Sequence, residues 1–403
     1  MLKRIGIMIL SVWLLTAVGV AIYGYWPQFQ PLPKKQAATR GKKVDLGQAA
    51  WQRISHEPLL LIGAGAIDVA AVIAATWFVL YLRGLQERNG KQAAANSISY
   101  QILMETSDVI SIAATSEAYY LLRPSFASTS WQRMTGKYPY LVLTYVGRSD
   151  TPYLTTCIVT IVGNLQLQQL VYKTIEALGP NIELRQVPCP LPSERVYHAW
   201  LKLARESYHN IRIEQPRDPL INLMSSLVTN KAITYAAVSF FMRYEEGKDW
   251  AVAGQKELEK AKGVDPKQRD QQKIAKLQKN LRSDKYGWKV RPLVAVGYEQ
   301  DADQAALERL GNLVSYFGSF DDDNCFVAEP SKYGHPGFGY PADLSAGRDV
   351  LGPLEAGTVV HPAYPTIAPG LASRGARLMR PSRNMIVVDS VPLVGDTPQY
   401  KWS

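Results

Sequence analysis

Cysteine and histidine are scarce in this chain of 403 residues, with three and five copies. Cys157, Cys189 and Cys325 form no C-x-x-C ligand pair and no even disulfide framework. They read as reduced, buried thiols, which points to a reducing compartment. The histidines (His56, His198, His209, His335, His361) are scattered without metal-ligand spacing; His335 and His361 both precede proline, and a turn accounts for them. GxxxxGKS/T does not occur. Thr135-Gly136-Lys137 lacks the first glycine and the hydroxyl of that motif, so no phosphate cradle is expected. HExxH and GxSxG are missing too, and Gly334, Gly337 and Gly339 sit among prolines, away from any strand-to-helix turn. Asp321-Asp322-Asp323-Asn324 could offer oxygens to a divalent cation, but it lacks the alternating ligands and distal glutamate of a calcium loop, and a solvated turn is favoured. With no nucleophile, metal or nucleotide motif, the chain reads as a non-enzyme that needs no cofactor.

A uniformly basic surface is excluded as well. The formal net charge is +10, yet residues 1–95 carry 11 Lys and Arg against 4 Asp and Glu, and the rest of the chain is nearly neutral. The excess flanks apolar segments, as in membrane-anchored chains. Residues 5–25 hold no charged side chain and span about 31 Å as a helix, the thickness of a hydrocarbon core. Residues 59–82 form a second apolar stretch that ends in Trp77, Phe78 and Tyr81 before Arg83. Its small residues, Gly63 and Gly65 among them, suit close packing on another helix. Asp68, deep in this stretch, is expected to hydrogen-bond at that helix contact. Two membrane helices, about 5–25 and 59–82, therefore make residues 1–95 an anchor in the lipid bilayer. The thiols favour a cytoplasmic soluble domain on the inner face of the cell membrane.

From about residue 96 strands and amphipathic helices alternate. Residues 140–148 and 153–162 are β-branched and aromatic runs joined by a turn, Asn164 caps a helix, and 181–187 is a strand. The order recurs with strands at 234–244 and 288–298, a helix from Asp301 or Asp303 to Gly318, and a short strand at 324–328. Between the halves lie an amphipathic helix at 193–208 and another opened by Asp218-Pro219. The expectation is an α+β domain of two ββαβ halves of ferredoxin-like character, 96–215 and 216–330, with an insertion at 246–287. Residues 331–403 read as a Pro/Gly-rich arm with one short helix near 344–357 and one strand near 385–389.

The insertion holds the most informative pattern. Residues 248–291 carry 13 Lys and Arg against 6 Asp and Glu. Lys273, Lys276, Lys279, Arg282 and Lys285 recur every three residues, while Ile274, Leu277 and Leu281 keep one face apolar. Three-residue steps wind the charges around a helix. The segment is expected to protrude as a helical hairpin, either simply solvated or binding a polyanion or acidic partner.

Taken together, several features resemble the non-ATPase region that precedes the motor in membrane-anchored conjugative type IV secretion ATPases. They are Asp218-Pro219-Leu220, Arg243 as an exposed strand end before Lys248-Asp249-Trp250, the Lys-rich segment, Arg291 within 288–298, Asp323-Asn324, Leu354-Glu355-Ala356 and His361-Pro362. The nucleotide-binding region of that family has no counterpart here. The resemblance implies a non-catalytic component of a DNA-transfer apparatus, docking a separate P-loop ATPase or a DNA–protein substrate as a homo-oligomer or within a multi-protein membrane complex. A structural scaffold of an unrelated envelope assembly is the alternative.

Overall fold

In the computed structural model the described residues run from 58 to 365, with breaks at 106–108, 180, 189–195, 207–208, 210, 214–217, 228, 230–231, 247, 264–269, 283–285, 300–301 and 332–349, and continue with 371, 385–388 and 399–402. Two compact units are distinguished, Met1–Leu85 and Gln86–Ser403.

Helix α1 (Pro58–Ala95) begins in the first unit. Its opening runs through the apolar stretch 59–82, where Leu, Ala, Val and Ile dominate and proline is confined to the first position. Val69, Val72, Ile73, Trp77, Leu80 and Tyr81 are exposed, and the rings of Trp77 and Tyr81 stack 5.5 Å apart one turn along. Among the described residues, no helix is long and apolar enough to cross a membrane. Residues 5–25 lie outside the described residues. Gly63, Gly65 and Asp68 fall on α1, with the Asp68 side chain outside the description.

The second unit is α+β, built on a nine-stranded antiparallel sheet. Its first part comprises β1 (Ile98–Leu103), α2 (Ile112–Leu122), a 3-10 turn (Arg123–Phe126), α3 (Ser130–Thr135), β2 (Tyr140–Arg148), β3 (Thr151–Val162), α4 (Leu165–Glu176) and β4 (Glu183–Val187). Its second part comprises β5 (Val196–Leu203), α5 (Leu220–Ser226), β6 (Ile233–Glu246), α6 (Lys248–Gly263), α7 (Gln271–Arg282), β7 (Tyr286–Tyr298), α8 (Asp303–Ser315), a 3-10 turn (Tyr316–Phe320) and β8 (Phe326–Ser331). The strands line up as β4-β1-β3-β2-β6-β7-β5-β8. Each part therefore arranges its own four strands in the order fourth, first, third, second, and the two parts meet edge to edge through β2 and β6. Thr144 faces Ser239 midway along that seam, and their hydroxyls lie 3.0 Å apart. This pair satisfies two buried polar groups with each other.

Alternation sorts the strand residues onto two faces. Leu141, Leu143 and Tyr145 of β2, Phe240 and Met242 of β6, and Val290 and Val294 of β7 share the main core with Tyr119, Val171, Leu223 and Leu313 of α2, α4, α5 and α8. Trp288 anchors this core, with the rings of Tyr119, Phe126 and Tyr244 at 5.6, 5.3 and 6.0 Å. The opposite face carries smaller clusters around Tyr140, Phe241 and Leu293 and around Ile158, Ala237 and Ala295.

After β8 come β9 (Val350–Leu351), which pairs with β7, and α9 (Pro353–Val359), followed by the hairpin β10 (Met385–Val388) and β11 (Gln399–Trp402). Two expectations are corrected. The stretch expected as a helix at 193–208 contains strand β5, which pairs with β7 and β8, one strand in from the edge of the sheet. The stretch from 350 to 364 is no extended arm: Ala356, Val359, Val360 and Ala363 are fully buried in the main core. Burial of apolar area, which the prolines around them do not prevent, decides both cases.

Candidate functional site

Three of the residues behind the resemblance converge on the 350–364 segment. Asp218 opens α5, where its Oδ1 accepts the Leu220 N–H at 2.8 Å, and its Oδ2 lies 3.0 Å from Nε2 of His361. Nδ1 of His361 faces the Thr358 carbonyl at 3.2 Å, and the ring is fully buried. Glu355, also buried, accepts the Ile211 N–H at 3.1 Å and the Gly352 N–H at 2.9 Å. Burial pushes its carboxyl up to about 7, against the pull of those two donors. From the first part of the sheet, the Tyr119 hydroxyl donates to the Val360 carbonyl at 2.6 Å, and the Tyr145 hydroxyl donates to the His361 carbonyl. Cys157 lies beside Tyr145 and Ala363, its thiol pushed up to about 12 by burial and so held protonated. This arrangement clamps one segment to both parts of the sheet. His361, expected as a turn position, is a buried knot. Tyr119 and Tyr145 were not singled out in the sequence, where each is one aromatic within an apolar run.

A second cluster lies on the other face, at the end of β6. Arg243, expected as an exposed strand end, is instead buried at 1 % exposure. Its Nη2 donates to Oε2 of Glu245, while Oε1 of the same carboxylate accepts from Arg133 Nη1 at 2.8 Å. The guanidinium carbon stands 4.7 Å over the ring of Tyr138. Lys289 is directly opposite Arg243 on β7, and Arg291 is two positions further on the same face; both are buried.

The predicted insertion is the helix pair α6–α7, placed between β6 and β7 where the first part of the sheet has a tight turn. Asp270 Oδ1 accepts the Lys273 N–H at 2.9 Å and starts α7, while Lys273 Nζ meets Glu257 Oε1 across the pair at 3.0 Å. Leu258, Ile274 and Leu277 bury one another in a cluster separate from the main core. Of the five basic residues, Lys273 is exposed; Lys276, Lys279 and Arg282 fall on α7 with side chains outside the description, and Lys285 lies outside the described residues. Burial, with the Arg205 cation second, pushes His209 in the loop before α5 down.

Other sequence candidates resolve into structural roles. Asn324 staples that same loop: its Oδ1 accepts the Arg205 N–H at 2.9 Å, and its Nδ2 faces the carbonyls of Arg205, Glu206 and His209 at 3.3 Å. Among the described residues no His, Cys, Asp and Glu side chains gather as a metal site would require. Thr135-Gly136-Lys137 closes α3, with Gly136 at φ 77° and the Lys137 N–H on the Gln132 carbonyl at 2.9 Å, a helix C-terminus. Gln86 and Asn89 of α1 bond the Met134 and Thr135 carbonyls at 2.8 and 2.6 Å. Beside them a surface cavity of about 500 Å³ is lined by Asn89, Gln92, Asn96, Lys137, Tyr138 and Asn164 among others.

No protein-family model matches this chain, and no curated protein matches its sequence.

Proposed function

We propose that this chain is a non-catalytic, membrane-anchored component of a DNA-transfer or type IV secretion apparatus that docks a separate cytoplasmic P-loop ATPase or its nucleoprotein substrate. The observation that carries the reading is the α6–α7 pair. Its apolar cluster of Leu258, Ile274 and Leu277 is separate from the main core, and Lys273 on the same pair is exposed. A helix pair of that composition is suited to a polyanion or to an acidic protein face, with affinity that falls as salt rises.

The anchor reading rests on α1. Apart from Thr76, its exposed residues from Val69 to Tyr81 are apolar, the rings of Trp77 and Tyr81 stack as interfacial aromatics can, and Arg83 follows. We read 5–25 and 59–82 as the two spans, Gly63, Gly65 and Asp68 as a helix-packing face, and the domain as cytoplasmic. The two parts, each βαββαβ where ββαβ halves divided at 215/216 were expected, are read as ferredoxin-like halves joined at β2 and β6.

The test reverses Lys273, Lys276, Lys279 and Arg282 to Glu in the full chain and captures partners from cells at low and high salt. The reading expects wild type to retain a P-loop ATPase or nucleoprotein at low salt and the reversed chain to lose it while staying folded. Equal capture by both chains would contradict it.

A further inference from the structure

Both ring nitrogens of His361 face oxygen atoms. Nδ1 lies 3.2 Å from the Thr358 carbonyl, and Nε2 lies 3.0 Å from Oδ2 of Asp218. A carbonyl oxygen only accepts, so the first contact needs a proton on Nδ1. A carboxylate only accepts too, so the second contact needs another proton, held by the ring or by Oδ2. The pair therefore carries one proton more than a neutral imidazole beside a carboxylate. The other arrangement, a neutral ring donating only from Nε2, would aim a bare Nδ1 lone pair at a carbonyl oxygen. His361 is fully buried, where such an unmet contact is costly.

The surroundings ask for the same proton. Oδ1 of Asp218 accepts the Leu220 N–H, and the Tyr364 hydroxyl bonds the same carboxyl group. Tyr145 of β2 and Tyr316 after α8 feel the charge of Asp218, and burial raises both phenols well above their ordinary value. Burial also raises Tyr364 and Tyr119, holds Cys157 up at about 12 and lifts Glu355 to about 7. None of these groups is a cation. A carboxylate beside a neutral ring would leave a net charge among neutral groups, and an unpaired buried charge is expensive. The additional proton makes the pair neutral as a whole.

We propose that residues 350–364 form a proton-controlled latch, closed while the Asp218–His361 pair keeps its additional proton and opened when that proton leaves. The segment covers the main core with Ala356, Val359, Val360 and Ala363, and Cys157 lies against Ala363. The closed latch binds more protons than the open one, so acid favours closure and rising pH opposes it. Glu355, which holds the Ile211 and Gly352 N–H groups, acts in the same direction.

The experiment uses the full chain in detergent with Cys189→Ser and Cys325→Ser, which leaves Cys157 as the reporter. Its protection is the maleimide-labelling rate in urea divided by the rate in the folded chain at the same pH, a ratio that cancels thiol ionisation. Protection is expected to fall about tenfold or more between pH 6 and 8.5. Glu355→Gln should keep part of that fall, and Glu355→Gln with His361→Gln should abolish it. Nitrogen NMR of the histidine-labelled chain at pH 6 reads the protons without any variant at the latch. The ring of His361, fully buried, is recognised by the slow exchange of its N–H bonds, and its Nδ1 is expected to be protonated. A bare Nδ1 with a proton on Nε2 alone, constant protection across this pH range, or a fall that survives the loss of both groups would overturn the proposal.

Discussion

Asp218 and His361 are 143 positions apart in the chain, yet a carboxylate oxygen and a ring nitrogen meet at 3.0 Å in the core. That contact closes the second unit: it ties the start of α5 to the segment after α9, and Tyr119 and Tyr145 tie the same segment to the first part of the sheet. Removing one partner strands the other, and leaving a buried hydrogen-bonding group unmet costs about 1–3 kcal/mol. Asp218→Ala and His361→Ala should each destabilise the chain by that order in urea unfolding. The double variant should cost clearly less than the two singles together. Strict additivity would show that the pair is not coupled.

Glu355 makes stability depend on pH in an uncommon direction. Its folded-state value of about 7 lies above its ordinary 4.5. Between those values the folded chain binds the extra proton, so stability is complete below pH 4.5 and falls as pH rises toward 7. The loss is about 3 kcal/mol. Unfolding of wild type and Glu355→Gln at several pH values isolates the effect. The advantage of wild type over the variant should shrink across that window, and a constant difference would contradict it.

Close approach sets the glycine predictions. A Cβ on Gly147 would come within 2.0 Å of the Leu227 carbonyl oxygen, backbone against backbone, whereas at Gly311 it would meet nothing within 4 Å. Gly147→Ala should cost about 1–3 kcal/mol or more through overpacking of β2 on the end of α5. Gly311→Ala, in the middle of α8, should add about 0.5–1 kcal/mol by helix propensity. Thermal melts of the two variants should move in opposite directions.

Much of the sheet was legible because its strands are long and aromatic or β-branched: β2, β3, β6 and β7 stand close to where alternation places them. Strand β5 was not. Val196, Ala199, Trp200 and Leu203 fit helical spacing, while Tyr197, Ala199, Leu201 and Leu203 fit a strand, and only pairing with β7 and β8 separates the two. Strand β1 was missed because Ser99, Tyr100 and Gln101 interrupt its apolar residues; the Ser99 hydroxyl is satisfied by Thr160 at 2.8 Å, a partner 61 residues away. The basic pattern of α7 could be read locally, since charge and an apolar seam are local properties. The buried Asp218–His361 pair and the burial of Arg243 could not, because both depend on which strands and segments become neighbours.

The central claim is that α6–α7 serves a partner and not the fold. Replacing residues 246–286 by a short Gly/Ser turn joins β6 to β7 as a hairpin and lowers the cost of loop closure. The decisive measurement melts this variant and assays its capture of the ATPase or nucleoprotein beside wild type. The account predicts an unchanged or higher melting temperature with capture lost. A variant that fails to fold, or one that folds and captures its partner as wild type does, would contradict it.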